Sequence, residues 1–305
     1  MQNREQGESY ETLWAQAVQA CADGKYQEAV DKGLLCFEFL NKENAKVEYK
    51  HLHLDAVNII ENDISSRKNY DIQKNFLFLK MLPCCILLSK CYILLNEREQ
   101  GSRFLSQSVM LAKKKIHDDD GENGAIFSVI AEVFKLLNDS KGELAMYTEY
   151  LNYMEEKFGK NHVAVSDCYH LLAGYYFRNK RIDLAIIYSE KCLANRMEYF
   201  GRVNEVTEKS LYSLGVIYRA GGRLKEAFLT LLESIEIRSQ LFGSTSLETA
   251  EAQASAGYTA QKMKEVKKAR ILFKLALDTF KTIYGEHHKT TIQTKKLYDN
   301  LVGEV

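Results

Sequence analysis

Four aromatic-glycine pairs, Phe158-Gly159, Phe200-Gly201, Phe242-Gly243 and Tyr284-Gly285, stand 42 residues apart along this chain. A fixed period of that length means that one supersecondary unit is copied. Such a unit cannot bury its own apolar face, so copies must stack on their neighbours. Between the pairs a small residue recurs at Ala173, Gly215 and Gly257, and stepping back by 42 gives Ala131 and Ser89. Ala17 fits the same place at a larger separation. Twelve residues further on lies a second small position: Ala29, Gly101, Ala185, Ala227 and Ala269. Ala145 reads as its counterpart in the third unit, displaced by two behind a longer turn, Asn138-Asp139-Ser140-Lys141-Gly142. Small residues at fixed places are what two antiparallel helices need where they cross closely.

Large apolar residues surround these positions at helical spacing. Leu211, Leu214 and Tyr218 line one helix of the fifth unit, and Leu224, Phe228, Leu231 and Ile235 line its partner. The turns between partners are polar or glycine-containing, and each aromatic-glycine pair closes a second helix with a left-handed cap. Composition agrees. Pro83 is the one proline in 305 residues, where ordinary usage gives about 15. Glycines number 17, too few for the turns of a β-sandwich or barrel. The fold expected is all-α: a right-handed α-solenoid of about six helix-turn-helix repeats, with an inserted helix after the first and a C-terminal capping helix.

The pattern resembles tetratricopeptide repeats, whose signature places an aromatic or Leu, Leu, Gly/Ala, Tyr and Ala where this chain has Leu211, Leu214, Gly215, Tyr218 and Ala227. The period and the linkers Phe158-Gly159-Lys160-Asn161-His162 and Tyr284-Gly285-Glu286-His287-His288 resemble the kinesin-light-chain type. Val163 replaces that type's linker proline. His170-Leu171, Tyr212-Ser213 and Ala254-Ser255 stand where it carries paired asparagines that hold cargo peptides. The expected organisation is a flexible N-terminus (1–9), a first repeat (10–41), an inserted helical segment (42–80) with a helix over 46–61, five repeats (81–286) and a capping helix with tail (287–305).

The stretch 76–95 is apolar, but Lys80 and Lys90 interrupt it and the repeat register runs through it. It reads as core rather than membrane span. The polar N-terminus carries no signal-peptide pattern. Seven cysteines without a CxxC pair read as reduced, buried thiols. The expected location is cytoplasmic, in a cytoskeletal or ciliary setting by the resemblance. No GxxxxGK[ST], GxGxxG or HExxH occurs. His51 and His53 fall on different helix faces, His287-His288 lie in a linker, and Cys84-Cys85 with Cys91 fit Leu-rich burial better than a metal cluster. No cofactor, metal or catalytic residue is assigned.

Equal totals of 41 cations and 41 acids disfavour a globally basic nucleic-acid binder. Lys113-Lys114-Lys115 before Asp118-Asp119-Asp120 fits helix-dipole complementarity at a junction. Residues 262–296 hold ten Lys/Arg against three acids, a local balance of 10 − 3 = +7. Lys264, Lys267, Lys268, Arg270 and Lys274 form the candidate basic surface, suited to an acidic surface such as tubulin, an acidic partner protein or RNA. The resemblance implies that first helices line a concave groove. Its inward positions would be Glu132 and Lys135; Asp167, His170, Phe177 and Arg178; Lys209, Tyr212 and Arg219; Glu251, Tyr258, Gln261 and Lys262. Cations there would hold acidic side chains and aromatics an apolar anchor. The function expected is a non-catalytic adaptor that binds a peptide or helix of a partner, in transport, cytoskeletal or ciliary assemblies. The alternative is an obligate structural subunit of a large complex, contacted through its outer faces and basic C-terminal region.

Overall fold

The computed structural model describes residues 9–58, 80–118 and 125–302, with side chains left undescribed at 44–58, 114–118 and 302. Residues 1–8 of the expected flexible N-terminus, the end of the helix placed at 46–61, residues 69–79 and the acids Asp119 and Asp120 lie outside the described residues. Every regular element among the described residues is helical. In chain order they are α1 (Tyr10–Ala22), α2 (Tyr26–Asn58), α3 (80–94), α4 (Arg98–Asp118), α5 (Ala125–Leu136), α6 (Ser140–Phe158), α7 (Ser166–Arg178), α8 (Ile182–Phe200), α9 (Glu205–Ala220), α10 (Leu224–Phe242), α11 (Leu247–Lys262), α12 (Val266–Tyr284) and α13 (Lys289–Val302). A 3-10 turn, Val163–Val165, leads into α7. The helices pack as consecutive antiparallel pairs, the arrangement of an α-solenoid.

The chain forms two compact units, Met1–Tyr150 and Leu151–Val305, whose boundary falls within α6. In the first unit, α1 packs on α2, and Ala17 and Ala29 are fully buried at their crossing. The helix expected at 46–61 is not a separate element where it is described. Residues 46–58 prolong α2, which runs unbroken for 33 residues. No glycine or proline falls between Leu34 and Asn58 to stop it. Ser89 is buried on α3, and its hydroxyl donates to the Gly101 carbonyl at 2.7 Å. Cys36, Cys84, Cys85 and Cys91 are all buried, and the Cys84 thiol donates to the Gly33 carbonyl at 3.2 Å. No described helix is long and apolar enough to cross a membrane.

The third repeat corrects one detail. Its turn is no longer than the others, since α5 ends at Leu136 and α6 begins at Ser140. Glu143, not Ala145, occupies the second close-packing position; Glu143 is buried and Ala145 exposed. Close approach is supplied instead by Gly142, where an added Cβ would run into the Phe134 ring.

In the second unit α7–α8, α9–α10 and α11–α12 are three successive pairs, and α13 packs on α12. Leu301 of α13 is buried with Ala269, Leu272 and Phe273, so α13 closes the apolar end of the last pair. Two left-handed backbone positions punctuate each repeat. One lies in the turn within the pair, at Gly24, Asn96, Asn138, Lys180, Gly222 and Lys264 (φ 59 to 75°). The other is the glycine of the aromatic-glycine pair, at Gly159, Gly201, Gly243 and Gly285 (φ 79 to 98°). From Asn96 onward both sets keep the 42-residue step, whereas Gly24 stands 72 residues before Asn96.

Candidate functional site

In the second unit the 3-10 turn before α7 and the helices α9, α11 and α13 begin from a repeating side-chain cap. The His162 Nδ1 accepts the Ala164 amide (3.2 Å), the Asn204 Oδ1 that of Val206 (2.8 Å), the Ser246 Oγ that of Thr249 (3.2 Å) and the His288 Nδ1 that of Thr290 (3.3 Å). These four residues again stand 42 apart. His162 also stacks on Phe158 and His288 on Tyr284, with ring centroids 5.0 and 4.2 Å apart. The linker motif therefore fixes where each first helix starts, and so which of its residues face which neighbour.

Second helices contribute two buried arginines one repeat apart. Arg238 on α10 donates from Nε to Glu208 of α9 at 2.6 Å and from Nη1 to the Glu248 carbonyl of α11 at 2.6 Å. Ser234 donates to the same Glu208 oxygen at 2.6 Å. Arg196 on α8 donates to Ser166 (3.2 Å) and Asp167 (2.6 Å) of α7 and to Ser210 (2.7 Å) of α9. Each guanidinium thus ties its own pair to the first helix of the next. Sequence reasoning missed both, although the signal was present: a cation at the same register of successive apolar stripes.

These staples engage several residues expected in the groove. Asp167 carries the Arg196 ion pair, and Glu251 lies 3.9 Å from Arg238. Tyr212 is half-buried, with the Arg238 guanidinium 4.2 Å from its ring centroid. Phe177 packs against the apolar cluster around Ala185, Leu214 and Ile217. His170 keeps solvent contact but is crowded. That desolvation first, and then the charge of Arg196, hold its imidazole below the usual histidine range. Lys209 pairs with Glu205 at 2.6 Å, and Arg178 is exposed at the end of α7. Glu132 and Lys135, in the first unit, pair with each other at 3.0 Å, and the Tyr147 hydroxyl donates to Glu132 at 3.2 Å.

The remaining residues converge. Arg219 of α9 reaches across to α11, where Nη1 donates to the Ser255 carbonyl (3.0 Å), the Ser255 hydroxyl (2.8 Å) and the Thr259 hydroxyl (3.2 Å). Its guanidinium carbon lies 5.4 Å from the Tyr258 ring centroid, and the Lys262 ammonium lies 5.3 Å from the same centroid. Tyr258 is 40% exposed, and half-buried Gln261 adjoins on α11. Arg219 is half-buried as well. Burial draws its guanidinium below the ordinary value, against the opposing influence of Tyr212 and Tyr258. Neither Arg219 nor Lys262 has a carboxylate partner among the described residues. The arrangement is an aromatic platform between two cations, with no hydrogen bond from Nε or Nη2 of Arg219 among the described residues.

The basic set lies one turn further on. Lys264 is the left-handed residue between α11 and α12. Lys267 is exposed, Lys268 pairs with Glu265 (3.4 Å), Lys274 with Asp278 (2.8 Å), and Arg270 is half-buried. No group of three or more metal-ligating side chains occurs among the described residues.

Comparison with known proteins bears on the same helices. The family model described as tetratricopeptide repeat matches residues 165–240 and 206–282. Residues 165–282 are tetratricopeptide repeats. The wider chain shares their fold with several solved structures. BtubC (BKLC) from P. vanneervenii is 21% identical and superposes with a TM-score of 0.56, over 65% of this chain and 80% of that one. A putative kinesin light chain from Podosopora anserina with nearly identical TPR-like repeats is 16% identical, with a TM-score of 0.56 over 67% and 96%. Aspartyl phosphate phosphatase F from Bacillus subtilis is 12% identical, with a TM-score of 0.55 over 100% and 85%. No curated protein is significantly similar in sequence. The tetratricopeptide repeats of α7 to α12 thus account for the pairwise packing, while the likeness to the solved structures is one of fold alone.

Proposed function

We propose that the protein is a non-catalytic adaptor that holds a partner's peptide between its first helices α9 and α11, centred on Arg219, Tyr258 and Lys262. The uncompensated Arg219 carries this reading. Its half-buried guanidinium donates only to neutral oxygens and keeps the N–H groups of Nε and Nη2, so a carboxylate brought to it gains a charge-assisted bond in a partly desolvated place. Tyr258 offers a face for an apolar or planar group beside that carboxylate. The ligand is an acidic peptide or helix of another protein. The 42-residue period and the likeness in fold to a putative kinesin light chain support a setting in transport, cytoskeletal or ciliary assemblies. Tubulin, an acidic partner, would suit the basic C-terminal face.

Affinity purification from native cells tests the reading. The double variant Arg219→Gln, Lys262→Glu is expected to lose recovered partners by about tenfold or more. Tyr258→Ser alone should lower recovery less. Undiminished recovery with a variant whose melting temperature matches the parent's would rule the α9–α11 site out.

A further inference from the structure

A second feature lies on the opposite layer, among the second helices. Ile187, Leu229 and Ile271 occupy one register position in three successive repeats, and all three are exposed, by 46%, 66% and 60%. Between α10 and α12 this row deepens into a groove of about 640 Å³. Phe228, Leu229, Leu232, Ile271 and Leu272 line it, and Met263 closes its end. Among the described residues nothing covers Leu229 or Ile271, although burial of such side chains is strongly favoured. An apolar groove of this size marks a binding surface.

Charge says which partner fits. Lys225, Lys268 and Glu265 line the groove, and exposed Lys264 and Lys267 stand close to Met263 and Lys268 in the chain. Nearby acids are already held: Glu226 by Arg223 (3.0 Å), Glu265 by Lys268 (3.4 Å) and Asp278 by Lys274 (2.8 Å). Lys225, Lys264 and Lys267 have no carboxylate partner among the described residues. Moreover, the first turn of α12 carries two lysines and no acid. Helix dipoles favour anions there, so these lysines work against the stability of their own helix. The groove walls are helices whose backbone groups bond internally, which leaves an extended strand nothing to pair with. A helix arrives with its own backbone satisfied.

We infer that the α10–α12 groove is a second docking site, for an amphipathic helix of a partner protein with an apolar stripe and acidic flanks. The site is independent of Arg219 and lies on the other layer of the repeats. A synthetic helical peptide of about five turns, with Leu at i, i+3, i+4 and i+7 and Glu on both flanks, serves as the probe. Fluorescence anisotropy on the full chain should show saturable binding that weakens with salt. Leu229→Ser with Ile271→Ser should weaken it by about tenfold or more. Lys225→Glu with Lys267→Glu should weaken it similarly, while the melting temperature holds or rises because acids suit those helix starts. The inference is overturned if the probe does not bind, if a Lys-flanked version of the peptide binds equally well, or if neither double variant matters. It is equally overturned if Leu229→Ser with Ile271→Ser instead abolishes a concentration-dependent dimer of this chain, or if the groove binds lipid vesicles and not the peptide.

Discussion

At the scale of single residues, buried charge is handled by pairing it across elements. Glu208 and Arg238 are 1% and 6% exposed, 2.6 Å apart, and bonded further to Ser234 and the Glu248 carbonyl. Removing one partner leaves the other ionised in a dry place, which typically costs about 3–5 kcal/mol. Glu208→Leu or Arg238→Leu should each lower stability by that order in urea unfolding, whereas the double change Glu208→Leu, Arg238→Met should cost much less. A sum of the two single losses would show that the pair is not coupled. The thiols supply a second prediction. Burial raises Cys36 to about 11 and Cys85 and Cys91 to about 12, above the ordinary 9.0. The fold therefore favours the protonated thiol. This contribution is full below pH 9.0, and stability is lost as pH rises from there through the folded-state values. Tyr10 and Tyr169, raised chiefly by burial, act in the same direction at higher pH. The urea midpoint should stay level to about pH 8 and fall beyond it. Thiol reagents at neutral pH should reach half-exposed Cys21 well before the six buried cysteines.

At the scale of helices and turns, close packing sets what each position tolerates. A Cβ at Gly101 would lie 2.6 Å from Ile93 Cγ1 and 3.2 Å from the Ser89 carbonyl oxygen. The carbonyl belongs to the backbone of α3 and cannot swing aside. Gly101→Ala should therefore destabilise by about 1–3 kcal/mol despite the better helix propensity of alanine. A neutral or positive shift in melting temperature would mean that α3 and α4 part more readily than this geometry implies. Much at this scale was legible in sequence. The small residues Ser89, Ala131, Ala173, Gly215 and Gly257 are buried where the period placed them, because a helix crossing admits only small side chains. The capping residues His162, Asn204, Ser246 and His288 were not recognised as one set. Three residue types perform that task, so no single letter repeats. Lys180 and Lys264 hid the left-handed turn for a similar reason: lysine is not the residue that conformation favours. The third-repeat register was misread because alanine at 145 looked like a small packing residue, while the buried position belongs to Glu143.

At the scale of the whole molecule, stability passes from neighbour to neighbour. Within the second unit each repeat packs on the next, and the last needs a lid. Leu301 of α13 supplies part of it, buried against Leu272 and Phe273. Leu301→Ala should cost about 2–5 kcal/mol and increase aggregation on heating, as light scattering would show. Loss of stability without aggregation would mean that α13 is not shielding the end.

The sequence by itself determined the period, the helical pairs and their crossing points, because these follow from local spacing of small, apolar and glycine residues. Composition alone established that turns would be short and proline-poor. The candidate site was only half legible. The resemblance to tetratricopeptide repeats nominated Asp167, Tyr212, Glu251, Phe177, Arg219, Tyr258 and Lys262 alike, as inward positions on first helices. Tertiary structure separated them. Arg196 and Arg238, arriving from second helices, bind Asp167, approach Glu251 and cover Tyr212, and Phe177 turns into the core. Arg219, Tyr258 and Lys262 are left together with two cations unanswered. Whether a charge is matched depends on residues some 30 to 40 positions away in sequence, brought to within hydrogen-bond reach only when the repeats stack.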